Sequence, residues 1–201
     1  MLTIRLAKAC DIPALARVHV AAVRALCRKH YRTQELSRWV DQGPGLYAGL
    51  VRSATVMVAE LDGVVVGFAA ASLAKGYVRA VYVAPGHAGA GIGGRLLARI
   101  ERAARVLGVR RLRLEATLNA EAFYTRAGYR SLGRGRTALG LGCIRMVKPL
   151  PVAKSLHGVS GSRPLSGLAG QRSPYGGAGL KSPVRRPSRG AVDMGRRPRL
   201  T

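Results

Sequence analysis

Four glycines fall within the six residues Gly89-Ala90-Gly91-Ile92-Gly93-Gly94. They follow the apolar segment Val81-Tyr82-Val83 and precede Leu96, Leu97 and Ile100, which recur at helical spacing. Glycines at such a turn leave backbone N–H groups unobstructed. A helix starting on them adds unpaired donors and a partial positive charge. The chemistry implied is diphosphate binding. The run matches G-x-G-x-x-G literally, and Glu115 lies about twenty residues beyond, where a dinucleotide fold keeps its ribose-binding acid. A dinucleotide fold, however, turns directly after its strand, whereas Ala84-Pro85-Gly86-His87-Ala88 intervene here, and an apparent hairpin precedes the motif. A P-loop is excluded, because no Gly-Lys-Ser/Thr follows the glycines.

The elements that must position this turn are legible before Leu150. Leu2–Leu6 alternates as a strand, and Asp11 with Pro13 opens a helix carrying Leu15, Val18, Ala22 and Leu26. Thr33 reads as the cap of a second helix with Leu36, Trp39 and Val40, and a third short helical stretch lies near Leu46–Val51. Strands are expected over Thr55–Leu61 and Val64–Ala71, joined by the hairpin dipeptide Asp62-Gly63. Tyr77–Val83 is a further strand, and the helix after the glycine turn runs to about Leu107 and ends at Gly108. Arg111–Ala116 reads as a strand and Ala120–Ala127 as a short helix closed by Gly128. Two more strands fall near Tyr129–Arg134 and Gly142–Val147. The order predicts one α/β (α+β) domain over residues 1–150, with a mixed central sheet of about seven strands flanked by helices.

Charge and composition narrow the partners. The chain of 201 residues has a formal net charge of +25, of which residues 1–150 contribute +16 and residues 151–201 contribute +9. A potential of that sign attracts phosphates, whether on nucleic acid or on a small cofactor. Residues 151–201 hold 6 Pro, 9 Gly and 7 Ser without periodicity, so they read as a disordered basic tail. Non-specific nucleic-acid binding through that tail is one possible use, and a solvated extension without a task is the simpler one. No apolar run is long enough for a transmembrane helix, and no signal peptide is evident, so a cytoplasmic protein is expected. Cys10, Cys27 and Cys143 are scattered and odd in number, which suits a reducing compartment. His19 and His87 stand alone, and no pair has zinc-ligand spacing, so no metal is expected.

Two segments together resemble the GNAT superfamily of acyl-CoA N-acyltransferases. VYVAPGHAGAGIGGRLL is similar to that family's pyrophosphate motif, and RLRLEATLNAEAFYTRAGYRSLG to its second signature, a strand and a short helix with Phe-Tyr. The resemblance spans approximately residues 3–149. It implies an acetyltransferase that moves an acetyl group from acetyl-CoA to a primary amine of a small molecule or peptide, by direct attack in a ternary complex. It also implies that Gly89, Ala90, Gly91, Ile92, Gly93 and Gly94 hold the CoA pyrophosphate and that Val81, Tyr82 and Val83 pair with the pantetheine arm.

The same resemblance makes Tyr124 the general acid that protonates the leaving thiolate, although a packing role for its ring is the alternative. Glu115 sits where several family members place a base, or else pairs with a neighbouring arginine; Glu60 reads as solvent-exposed. Asn119 is placed at the cofactor, or at the cap of the short helix. His30, Tyr31 and Trp39 follow an H-Y-x(7)-W pattern found in one bacterial branch and would shape the acceptor pocket, Trp39 serving otherwise as an anchor for its helix. Three features depart from the family: Ala88 stands where Gln or Arg opens the glycine motif, with Arg95 as a substitute cation, Tyr77 replaces an acid at the start of its strand, and the Asn119-to-Tyr124 interval is shorter than in many members. A non-catalytic acyl-CoA-binding module therefore stands as the alternative, and the look-alikes make a homodimer possible.

Overall fold

A computed structural model describes residues 1–43 and 45–151. The expected tail lies, from residue 152 onward, outside the described residues. Strand β1 (Leu2–Leu6) leads into three helices, α1 (Ile12–Leu26), α2 (Thr33–Val40) and α3 (Gly45–Ser53). The meander β2 (Thr55–Leu61), β3 (Val64–Ser72) and β4 (Tyr77–Val83) follows. Then come α4 (Ile92–Val106), β5 (Arg111–Ala116), α5 (Glu121–Arg126), β6 (Arg130–Arg136) and β7 (Gly142–Pro149). The strands form one seven-stranded sheet in the order β1-β2-β3-β4-β5-β7-β6. All neighbours are antiparallel except β4 and β5.

The β2–β3 hairpin turns on Asp62 and Gly63, both at positive φ (47° and 82°), the geometry that twists two adjoining strands correctly. β3 is buried on both faces, and its small residues let helices approach from either side. A Cβ at Gly67 would lie 3.0 Å from the Tyr82 carbonyl oxygen and 3.3 Å from Leu96. On one face, Leu96, Leu97 and Ile100 of α4 pack against Ala69, Leu112, Leu114, Ile144 and Met146. Each such side chain contributes about 1.5–3 kcal/mol when fully buried. On the other, Leu15 and Val18 of α1 and Tyr47 and Leu50 of α3 cover Val56, Val58, Phe68 and Ala70.

Two irregularities open the sheet in the middle. The β3–β4 register slips between Ala70↔Ala80 and Ala71↔Val78, leaving Arg79 as an extra residue on β4. β4 and β5 then share a single registered pair, Tyr77↔Arg113, with the Arg113 N–H donating to the Gly76 carbonyl at 2.8 Å. Beyond that point the strands part, and Val81–Val83 keeps β3 on one side with no β5 partner on the other.

Several local expectations are corrected. Asp11 stands at the N-cap position of α1 as expected, but its side chain does not cap the helix: its carboxylate takes the Lys8 N–H (2.7 Å) and the Arg5 guanidinium (2.7 and 2.9 Å). That pairing holds the Asp11 carboxyl below its ordinary range. The N-cap of α2 is Arg32 rather than Thr33, with Glu35 accepting the Arg32 N–H at 2.8 Å. Glu60 is not free in solvent but pairs with Arg5 at 2.6 Å. Asn119 precedes the N-cap of α5, which is Ala120.

Candidate functional site

The split between β4 and β5 opens into a cavity of about 900 Å³. Its walls include Val81, Tyr82 and Val83, the turn residues Gly89, Gly91, Ile92, Gly93 and Gly94, and Glu115, Asn119, Tyr124, Tyr31 and Trp39. The structure thus brings together almost every residue singled out in the sequence. Ala90 and His30 are exceptions: both are exposed, and neither lines the cavity. Arg95 is likewise exposed and does not line it.

The glycine turn meets α4 with Gly91 as N-cap at φ 74°, and no side chain caps the helix. The first helical amide bonded back to the turn is Arg95, whose N–H donates to the Gly91 carbonyl at 3.1 Å, so the N–H groups of Ile92, Gly93 and Gly94 lack the helical partners that later residues have. Gly89 (φ 81°) and Gly91 occupy backbone angles that disfavour side chains, whereas a Cβ at Gly94 would meet nothing within 4 Å. Gly93 packs closely on the Phe123 ring, 3.4 Å from where its Cβ would lie. The result is a helix terminus with a partial positive charge, free donors and no side-chain cap.

Tyr124 projects from α5, 7% exposed, between the rings of Phe123 (4.9 Å) and Tyr129 (5.6 Å). Burial, with Tyr77 nearby, raises its phenol above the ordinary tyrosine value, so it stays protonated at neutral pH. Glu115 is exposed on β5 and belongs to none of the ion pairs among the described residues. Tyr77 feels that carboxylate: burial and the Glu115 charge push its phenol up to about 12.

On the far wall, Tyr31 donates to the Gly142 carbonyl at 2.7 Å and accepts the Leu118 N–H at 3.0 Å. Its hydroxyl therefore ties the segment after α1 to β7 and to the approach to α5. Trp39 stands edge-on to Tyr31, with ring centroids 5.7 Å apart. The Asn119 side-chain oxygen accepts the Cys27 thiol at 3.5 Å, and burial pushes that thiol up to about 11.

Sequence reasoning missed the residue beneath this wall. His19, taken as isolated, is 3% exposed and sits 4.5 Å from the Tyr82 ring, with Nδ1 at 2.8 Å from the Tyr47 hydroxyl. Its Nε2 is buried without a hydrogen-bond partner, and burial lowers the imidazole to about 4. The helical spacing Leu15, Val18, His19, Ala22 was the one available signal, since it puts His19 on the buried face of α1. The β6–β7 turn was missed too: Thr137, Ala138, Leu139 and Leu141 all line the cavity. No group of His, Cys, Asp or Glu among the described residues could hold a metal ion.

Residues 52–131 match the family model described as the acetyltransferase (GNAT) domain. No curated protein matches the chain in sequence. Among solved structures, a GCN5-related N-acetyltransferase from Rhodopseudomonas palustris is 25% identical, with a TM-score of 0.70 over 74% of this chain and 95% of that one. The PaiA N-acetyltransferase of Thermoplasma acidophilum, solved in complex with coenzyme A, has a TM-score of 0.61 at 19% identity, covering 74% of this chain and 99% of its own. A phosphinothricin acetyltransferase from Sinorhizobium meliloti, solved with AcCoA, has a TM-score of 0.57 at 20% identity, over 81% and 96% of the two chains. The split sheet and the glycine turn at a helix start agree with these comparisons: the chain has the fold of these acetyltransferases, and residues 52–131 are similar to the GNAT domain.

Proposed function

We propose that the protein is an acetyl-CoA-dependent N-acetyltransferase that acetylates a primary amine by direct transfer within a ternary complex. The observation that carries this reading is the convergence on one cavity of a free helix N-terminus, an unpaired strand edge and a buried tyrosine. Acetyl-CoA supplies the activated thioester. The amides of Ile92, Gly93 and Gly94 and the positive end of α4 suit its diphosphate, and the open edge at Val81–Val83 suits the amide groups of the pantetheine arm.

Tyr124 holds its proton at Oη and offers it to the departing sulfur. A phenol raised by burial is a weak acid, but the same dry surroundings raise the leaving thiol, which narrows the mismatch. Glu115, unpaired at the cavity wall, takes the proton of the acceptor ammonium, directly or through one water, so that the amine attacks in its neutral form. Trp39 walls the acceptor side. The Tyr31 hydroxyl, already committed as donor and acceptor, orders that wall, leaving only its ring for the substrate.

The experiment is Tyr124→Phe with steady-state kinetics and a cofactor titration. Loss of the proton donor should lower kcat by roughly 10²–10³-fold, within the range for a positioned acid, and leave acetyl-CoA affinity within about twofold. Equal losses in both, or none in kcat, would remove Tyr124 from this role.

A further inference from the structure

Alternate residues of β5 and Arg145 of β7 form an exposed stretch of sheet beside the cavity. On β5, Leu112, Leu114 and Ala116 pack toward α4, so Arg111, Arg113 and Glu115 point the other way and are exposed. Glu115 stands opposite Arg145 of β7 in the strand register, and Tyr77 opposite Arg113, which puts these residues on one face. Arg79, the extra residue of the β4 bulge, lines the cavity beside them. Arg79 thus shares the cavity with Glu115, while Arg113 and Arg145 flank Glu115 on the adjoining exposed face, outside the cavity lining.

No carboxylate among the described residues is ion-paired with Arg79, Arg113 or Arg145. The acids that do pair are used elsewhere: Asp11 and Glu60 on Arg5, Glu101 on Lys148 and Arg105, and Asp62 on the N-terminal ammonium. Arg145 lies across Gly135, where a Cβ would come within 2.6 Å of its Nε, so the bare glycine leaves this guanidinium a resting place on the sheet.

Resting on the acetyltransferase reading above, we infer that the acceptor is a small amine that also carries carboxylate or phosphate groups. A plain ammonium nearing Glu115 also meets the positive potential of the unpaired Arg79, Arg113 and Arg145. An amine with anionic groups a few bonds away offsets that potential. Neighbouring strands lie about 5 Å apart and alternate residues about 7 Å apart, so the anionic groups reach Arg145 or Arg113 while the nitrogen stays at Glu115. Guanidinium is also the side chain whose planar fork matches carboxylate and phosphate.

The test uses the full chain, saturating acetyl-CoA and thiol release, with four acceptors: L-glutamate, O-phosphoethanolamine, ethanolamine and cadaverine. One or both anionic amines should exceed ethanolamine by at least tenfold in kcat/KM, and the better of the two separates carboxylate from phosphate recognition. In the double variant Arg113→Gln/Arg145→Gln, KM for the anionic amines should rise by about tenfold or more while acetyl-CoA affinity holds. Preference for ethanolamine or cadaverine, no turnover of either anionic amine, or a preference that survives the double variant overturns the inference. Failure of the unmodified protein to bind acetyl-CoA in the same samples sinks the acetyltransferase reading and takes the inference with it.

Discussion

Gly94→Glu separates the two things a glycine at a helix start can do. Gly94 has ordinary helical backbone angles, and its Cβ position is open, so the substitution carries no steric strain. Replacing glycine by glutamate gains roughly 0.5 kcal/mol of helix propensity. A carboxylate in the first turn of α4 adds about 0.3–1 kcal/mol against the macrodipole. Together they are worth on the order of 1 kcal/mol, a rise in Tm of about 2–4 °C for a domain of this size.

The same carboxylate would stand where the diphosphate is proposed to sit. Repulsion of two phosphate charges at about 5–6 Å, in a half-solvated site, costs on the order of 2–3 kcal/mol. That corresponds to roughly 30–150-fold in Kd. Thermal unfolding and calorimetric titration with acetyl-CoA on one sample read both effects. A higher Tm with much weaker binding is expected. Unchanged affinity would mean that the phosphates lie elsewhere, and a lower Tm would mean that the N-terminus of α4 is not the free, uncapped terminus described.

Other consequences follow from buried polar groups. His19 is held neutral, so between about pH 6.5 and 4 the unfolded chain binds a proton that the folded one does not. Its contribution to stability is complete above pH 6.5 and falls by about 3 kcal/mol as pH drops through 4; denaturant melts at a series of pH values should show this slope, and His19→Leu should flatten it. The Tyr129 hydroxyl is buried without a hydrogen-bond partner, so Tyr129→Phe should leave Tm unchanged or raise it by the equivalent of up to about 1 kcal/mol, and a clear loss would reveal a partner.

Much of this architecture is legible in the sequence, because its strands alternate and its turns use residues that permit few other conformations. β1, β2, β4 and β5 have the bounds that alternation predicts, and Asp62-Gly63 forms the hairpin its dipeptide demands. Helix starts were less legible. Asp11 and Thr33 have the right chemistry for caps, but a guanidinium 6 residues away wins the Asp11 carboxylate, and Glu35 caps α2 from within.

The site divides in the same way. The glycine turn and Tyr124 are local patterns and could be read directly. The company of His19 depends on Tyr47, 28 positions away, and on Tyr82 on another element, so periodicity marks it as buried without naming its neighbours. The insertion of β7 between β5 and β6 sets Arg145 beside Glu115, and no spacing in the chain encodes that pairing.

The central claim is that the glycine turn serves acetyl-CoA. Calorimetric titration of the full chain with acetyl-CoA, with NADH titrated in parallel, tests it most directly. Saturable binding of acetyl-CoA, weakened in Gly94→Glu, and no binding of NADH are expected. Binding of NADH alone would return the turn to the dinucleotide reading of G-x-G-x-x-G, and binding of neither would contradict the assignment of this cavity to a nucleotide cofactor.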